Sequence, residues 1–175
     1  MTKAVVFLLA GAAFGTASLA HAGKVTVTIR AIDATSIGRS LGTVRAEDSS
    51  DGLVLTPRLG GLPPGAHGFH VHENPSCAPG KKDGKMVAGL EAGGHWDPDK
   101  TGKHEGPYGH GHRGDLPVLE VGENGVATKV LVAPRLKVGD LKGHSLVIHA
   151  GGDNYSDQPQ PLGGGGARIA CGVVR

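Results

Sequence analysis

Nowhere in this chain do apolar residues hold a sustained helical spacing between capping residues, and that excludes a helical core. What recurs instead is alternation. Val25, Val27, Ile29 and Ala31 alternate with Thr26, Thr28 and Arg30, the pattern of a half-buried strand. Further strands are predicted over Leu41–Glu47, Leu53–Leu59, Gly68–Glu73, Val118–Val121, Val126–Val132, Ser145–Ala150 and Arg168–Val174. Turn residues such as Ser50-Asp51-Gly52, Glu123-Asn124-Gly125 and Val138-Gly139-Asp140 separate several of them. Many short strands joined by glycine-rich turns read as one all-β antiparallel sandwich or barrel.

Residues 1–22 read as a secretory signal peptide, with Lys3 as the positive start and an apolar run from Ala4 to Ala13. Ala20-His21-Ala22 has the small-x-small form of a cleavage site, so residues 23–175 are expected as one mature domain. A membrane anchor is disfavoured because the run is short and is broken by Gly11, Gly15, Thr16 and Ser18. Export fits the cysteine content. Cys77 and Cys171 are the only two, and in an oxidising compartment they would pair rather than remain buried thiols. The formal net charge of +2 has no Lys/Arg block behind it, so no nucleic-acid partner and no membrane surface is expected. Beyond the leader the aromatics are Phe69, Trp96, Tyr108 and Tyr155, so the core must be largely aliphatic. Metals and a disulfide would supplement it.

Two stretches interrupt the strand pattern, Asn74 to about Asp115 and Gly151 to Ala167. Loops of that length in a compact domain are uncommon unless they are functional or disordered. Here they carry or flank a set of metal-ligating side chains. His70 and His72 lie two apart in GFHVHE and so point to one side of a strand. His95 in GGHWDP, His104 in GKHEGP, His112 and Asp115 in GHRGD, and His149 in VIHAGGD could converge on them. Two adjacent metal ions would explain this pattern, although imidazole suits copper and zinc equally.

At these residues the chain resembles bacterial, exported copper/zinc superoxide dismutases. GFHVHENPSC, AGGHWDP, GKHEGP, GHRGDLP, VIHAGGDNYSD and GGGGARIACGVV follow the family's order and spacing over nearly the whole mature chain. The resemblance implies an eight-stranded antiparallel Greek-key β-barrel, an immunoglobulin-like sandwich, with the metal site outside it under two long loops. It implies copper on His70, His72, His95 and His149, a set suited to tetragonal Cu(II). It implies structural zinc on His95, His104, His112 and Asp115, so that His95 bridges the two metals. Asp153 would accept hydrogen bonds from His104 and from His70 or His72, with His70 favoured; otherwise it is an Asx-type turn. Arg168 would attract the substrate anion, against the alternative of an ordinary strand-end charge. The implied reaction is disproportionation of superoxide through alternating copper oxidation states, with His95 carrying a proton.

Lys81, Lys82 and Lys85 either steer an anion or form a solvated loop face. His67 has the opposite strand parity from His70, His110 competes weakly with His112, His144 is expected at the surface, and His21 leaves with the leader. Trp96 replaces a smaller residue of the family, which puts the local packing in question. A metal-storage module would not need Arg168, Asp153 or the disulfide. A zinc hydrolase would need an open zinc with a nearby base, and no HExxH helix occurs. The expected location is the periplasm, as monomer or homodimer.

Overall fold

The computed structural model describes residues 23–175, so the expected leader lies outside the described residues. The strands are β1 (Lys24–Ile32), β2 (Ile37–Ser49), β3 (Gly52–Gly60), β4 (Gly65–His67), β5 (Phe69–His72), β6 (Gly80–Lys82), β7 (Lys85–Val87), β8 (Leu119–Val121), β9 (Val126–Ala127), β10 (Leu131–Ala133), β11 (Ser145–His149) and β12 (Arg168–Val173). A single helical turn, α1 (Val138–Leu141), and two 3-10 turns complete the described elements. Most follow the predicted alternation, and the exceptions have local causes. The predicted strand Val126–Val132 is divided into β9 and β10, though Leu59↔Ala127 and Leu55↔Leu131 keep one register. Pro57 falls opposite the break and has no N–H to give the ladder. β2 begins earlier than predicted, at Ile37, because β1 bulges at Arg30 and carries the ladder on to Ile32↔Ile37.

The principal sheet is eight-stranded and antiparallel, in the order β10-β3-β2-β1-β12-β11-β5, with β9 also on β3. Its ends meet. β9 turns back into β8 through Gly122 N–H to Val126 C=O (2.9 Å), and β8 pairs with β4, which runs directly into β5. The circuit is thus a closed antiparallel barrel with crossed, Greek-key connections, as expected. Closure leaves no long bare strand edge.

Val27, Ile29, Val44, Leu55, Phe69, Val71, Leu146 and Ile148 fill the barrel, and Phe69 is its one fully buried aromatic among the described residues. Trp96 packs against this core from outside and tilts over His144 at 4.8 Å between ring centroids. A second, smaller cluster outside the barrel joins Ile32, Cys77, Ala92, Val147 and Cys171. It contains the Cys77–Cys171 disulfide. All four residues of β5 are buried, which means that both of its faces are covered. Phe69 and Val71 point into the barrel; His70 and His72 point out, beneath the two long loops.

Candidate metal centre

Backbone pairing explains how residues far apart in sequence meet on β5. Its free edge is used by loop chain rather than by another long strand. Val71 N–H donates to Gly114 C=O (2.8 Å), Trp96 N–H to Val71 C=O (2.8 Å) and Gly114 N–H to Trp96 C=O (2.8 Å). These bonds set His95 beside His72 and Asp115 beside His70 as isolated bridges. His149 ends β11 after a register shift, which turns its ring toward the same place, and its N–H donates to Gly68 C=O (2.9 Å). His104 arrives on the first loop, its N–H held by Asp157 Oδ2 at 2.9 Å.

His70, His72, His95 and His149 each present a ligand atom within 4.8 Å of the others, and all four are buried. So do His70, His95, His104 and Asp115. His112 adjoins the second group, with Nδ1 3.5 Å from Asp115 Oδ1. Carbonyl and carboxylate oxygens only accept, so a ring nitrogen facing one must carry the proton and leaves its lone pair on the other nitrogen. His72 Nδ1 faces Gly93 O (3.0 Å) and His149 Nδ1 faces Gly166 O (3.2 Å), which frees both Nε2 atoms, 3.3 Å apart. His70 Nε2 faces Asp153 Oδ2 (2.8 Å), so only its Nδ1 remains. His104 Nε2 faces Asp153 Oδ1 (2.7 Å). His95 differs: Nδ1 stands 3.0 Å from Asp115 Oδ1, and Nε2 has no partner.

Buried polar atoms without partners test whether metals fit. His70 Nδ1, His95 Nε2 and His112 Nδ1 are buried and make no hydrogen bond, while His104 Nδ1 and Asp115 Oδ2 stand 2.9 Å apart without the geometry of one. Native interiors tolerate few such atoms, and here they converge. Copper and zinc fit both the donor chemistry and the orphaned atoms.

Electrostatics sets His104 apart from His70, His72, His95 and His149. Burial, followed by the neighbouring His95, holds His70 and His72 well below the usual imidazole range. Burial brings His149 down to about 4 despite its bond to Gly166. These rings are neutral at pH 7, as metal ligands must be. His104 goes the other way. Burial lowers it, but the Asp115 and Asp153 carboxylates on either side outweigh burial and raise it to about 9. In the metal-free protein its stabilising contribution is complete below 6.5 and is lost as pH rises through about 9. An ion held by His104 would have to displace a proton below that range. Zinc affinity of the metal-free protein should therefore climb from pH 6.5 to about 9 and then flatten. Competition titrations with a chromogenic chelator across this window test it, and a flat affinity refutes it.

Asp153 lies between two of the rings, with Oδ2 2.8 Å from His70 Nε2 and Oδ1 2.7 Å from His104 Nε2. Burial raises its pKa, but the bonds from His104 and His70 prevail and hold the carboxyl well below the usual carboxylate range. Gly163 makes the approach possible: at φ +71° it lies against Asp153, and a Cβ there would stand 2.8 Å from His104 Nε2. Gly93 C=O has two partners, His72 Nδ1 at 3.0 Å and Arg168 Nη2 at 2.6 Å, while Arg168 Nη1 donates to Gly89 C=O. The guanidinium is thereby held close enough to depress His72 and His149.

The remaining histidines have other tasks. His67 is buried with Nδ1 2.7 Å from His149 O and Nε2 2.8 Å from Pro63 O, and it faces neither group. His110 is exposed. His144 is half-buried rather than at the surface, its Nδ1 within 3.1 Å of His72 O and 2.8 Å of Glu73 O. Lys81, Lys82 and Lys85 are exposed on the β6–β7 hairpin. Sequence reasoning missed Gly93, Gly163 and Arg135, which act through backbone approach or carbonyl contacts and have no ligand signature.

Residues 40–174 match the family described as copper/zinc superoxide dismutase (SODC). The chain is 52% identical over 176 residues to superoxide dismutase [Cu-Zn] 2 of Salmonella typhimurium, with 100% of this chain and 98% of that protein covered. Among solved structures it resembles the Cu/Zn superoxide dismutase from Brucella abortus (TM-score 0.86, 52% identity, covering 87% of this chain and 100% of that one). It also resembles the monomeric copper, zinc superoxide dismutase from Salmonella enterica (TM-score 0.79, 55% identity, covering 87% and 100%).

Proposed function

This chain belongs to the copper/zinc superoxide dismutase family, and on that premise we propose how its residues divide the work. The reaction converts two superoxide anions and two protons to oxygen and hydrogen peroxide, with copper and zinc as cofactors, in antioxidant defence. Copper would be held by His70, His72, His95 and His149, and zinc by His95, His104, His112 and Asp115. When bound, copper supplies alternating one-electron chemistry and zinc a closed site that holds the shared imidazole.

His95 is the bridging residue in this reading, although His70 belongs to both proximity groups. One observation carries the choice. His70 commits Nε2 to Asp153, whereas both nitrogens of His95 face the cluster. The same two-sidedness suits His95 to hand a proton from Nε2 to the product while Nδ1 stays fixed beside Asp115. A nitrogen-coordinated Cu(II) resonance that loses one nitrogen in His95→Ala, but not the shared one in His70→Ala, tests the assignment.

Arg168 offers its remaining donors to a small anion from a position anchored on Gly89 and Gly93. Arg168→Gln should lower kcat/KM by roughly 10-fold and flatten its dependence on ionic strength. Stopped-flow rates at low and high salt decide, and unchanged slopes end the guidance role. The exposed Lys81, Lys82 and Lys85 extend that positive field. Residues 1–22 direct export and residues 23–175 form the enzyme domain, which works in the periplasm. The disulfide supports this location.

A further inference from the structure

Arg135 stands just after β10, between the buried core residues Ala133 and Leu136. Its guanidinium reaches across to the loop that carries His104 and His112. Nε donates to Pro107 C=O (3.2 Å), Nη1 to Gly111 C=O (3.0 Å), and Nη2 to both Gly106 C=O (3.3 Å) and His112 C=O (2.5 Å). Among the described residues no carboxylate pairs with it; the ion pairs of Arg45 and Arg113 have no counterpart here. The cation is therefore directed wholly at main-chain oxygens. Four carbonyl dipoles pointing at one centre repel each other unless a cation gathers them, and a planar fork of five donors can serve all four.

The zinc-side residues are not anchored alike. His104 is fixed at its N–H by Asp157 and at its ring by Asp153. Asp115 is fixed by its bridge to His70 on β5. His112 has its N–H on Lys103 C=O (2.8 Å) and its C=O on Arg135, while no hydrogen bond holds its ring among the described residues. Beyond ring contacts with His95 and His104 and a 3.5 Å approach to Asp115, its direction is set by its backbone, and Arg135 holds that backbone and the turn leading into it.

We propose that Arg135 is a positioning residue for zinc, gathering the carbonyls of residues 106–112 so that His112 Nδ1 stands beside Asp115 before the ion arrives. This rests on the proposed assignment of His112 to zinc. The test uses the full mature enzyme loaded with copper and zinc, with zinc transfer to a chromogenic chelator as the first readout. The copper resonance spectrum and the melting temperature of the metal-free form accompany it. Arg135→Met, which keeps an apolar stem, should speed zinc transfer by roughly 10- to 100-fold and leave the copper spectrum unchanged. Arg135→Lys should rescue only in part, because a single ammonium cannot meet four divergent carbonyls.

Zinc transfer within two-fold of the parent overturns the proposal. So does parallel loss of copper and zinc with a lowered metal-free melting temperature, which marks a merely structural role. Should Arg135→Met fail to fold, Arg135→Lys carries the same comparison: faster zinc transfer with the native copper spectrum supports the proposal, and parent-like transfer overturns it. His112→Ala separates the two readings. If it retains zinc like the parent, the ligand assignment fails and this inference with it. If it loses zinc while the Arg135 variants transfer at the parent rate, only this inference fails.

Discussion

Replacing His149 with alanine is expected to lower dismutation per molecule by more than about 100-fold while zinc stays bound, since even outer partners of metal ligands are worth 10- to 100-fold. The expectation follows from where His149 lies. It ends β11 on the side of the cluster away from Asp115, with Nε2 3.3 Å from His72 Nε2, and it belongs only to the group with His70, His72 and His95. The second group keeps His95, His104 and Asp115 untouched. Alanine also opens a space beside Gly165, whose added Cβ would lie 3.2 Å from the His149 ring, so water can enter where an imidazole was. Metal analysis should show copper reduced or loosely held with zinc near one per chain. The copper spectrum should lose a nitrogen. Activity within a few-fold of the parent, with an unchanged spectrum, would exclude His149 from the copper set. Loss of zinc in step with copper would show that the two groups are not separable in the way the hydrogen bonds suggest.

The alternation of Val25 to Ala31 and the same-side placement of His70 and His72 were legible because strand periodicity is a local property. The convergence was less so. His95 and Asp115 reach β5 through main-chain bonds at Val71, Trp96 and Gly114, and main-chain bonding leaves no mark on residue type. The motif resemblance supplied that part of the site. β4 and the β6–β7 hairpin escaped for a related reason: each spans three residues, too few for a period to show. His144 was misplaced because its sequence neighbours, Gly143 and Ser145, say nothing of the His72 and Glu73 carbonyls that draw it inward. Arg135 is the strongest example. Its work is done on four carbonyls contributed by residues with no shared chemistry, so only the folded chain reveals it.

The second large effect is expected from removing the disulfide with the double change Cys77→Ser and Cys171→Ser. The two residues lie 94 apart in sequence, and in the chain-entropy view closing a loop of about that size stabilises by up to about 4.7 kcal/mol. Both sulfurs are also buried in the satellite cluster with Ile32, Ala92 and Val147, so two serine hydroxyls would enter an apolar pocket. Denaturant unfolding of the metal-free protein should lose roughly 3–5 kcal/mol. The consequence reaches the chemistry through a short chain of contacts. Cys77 tethers the segment that ends at Gly89 and Gly93, and those carbonyls hold Arg168 on the strand that carries Cys171. Gly93 also receives the Nδ1 proton of His72, so a loosened segment disturbs the proposed anion guide and the His72 imidazole together. The metal-loaded double variant should therefore show a lower rate per bound copper and a weaker response to ionic strength, as in Arg168→Gln. A stability loss below about 1 kcal/mol would mean that the barrel alone orders this segment. A large stability loss with the parent's salt response would mean that the carbonyls of Gly89 and Gly93 hold Arg168 without help from the covalent tether.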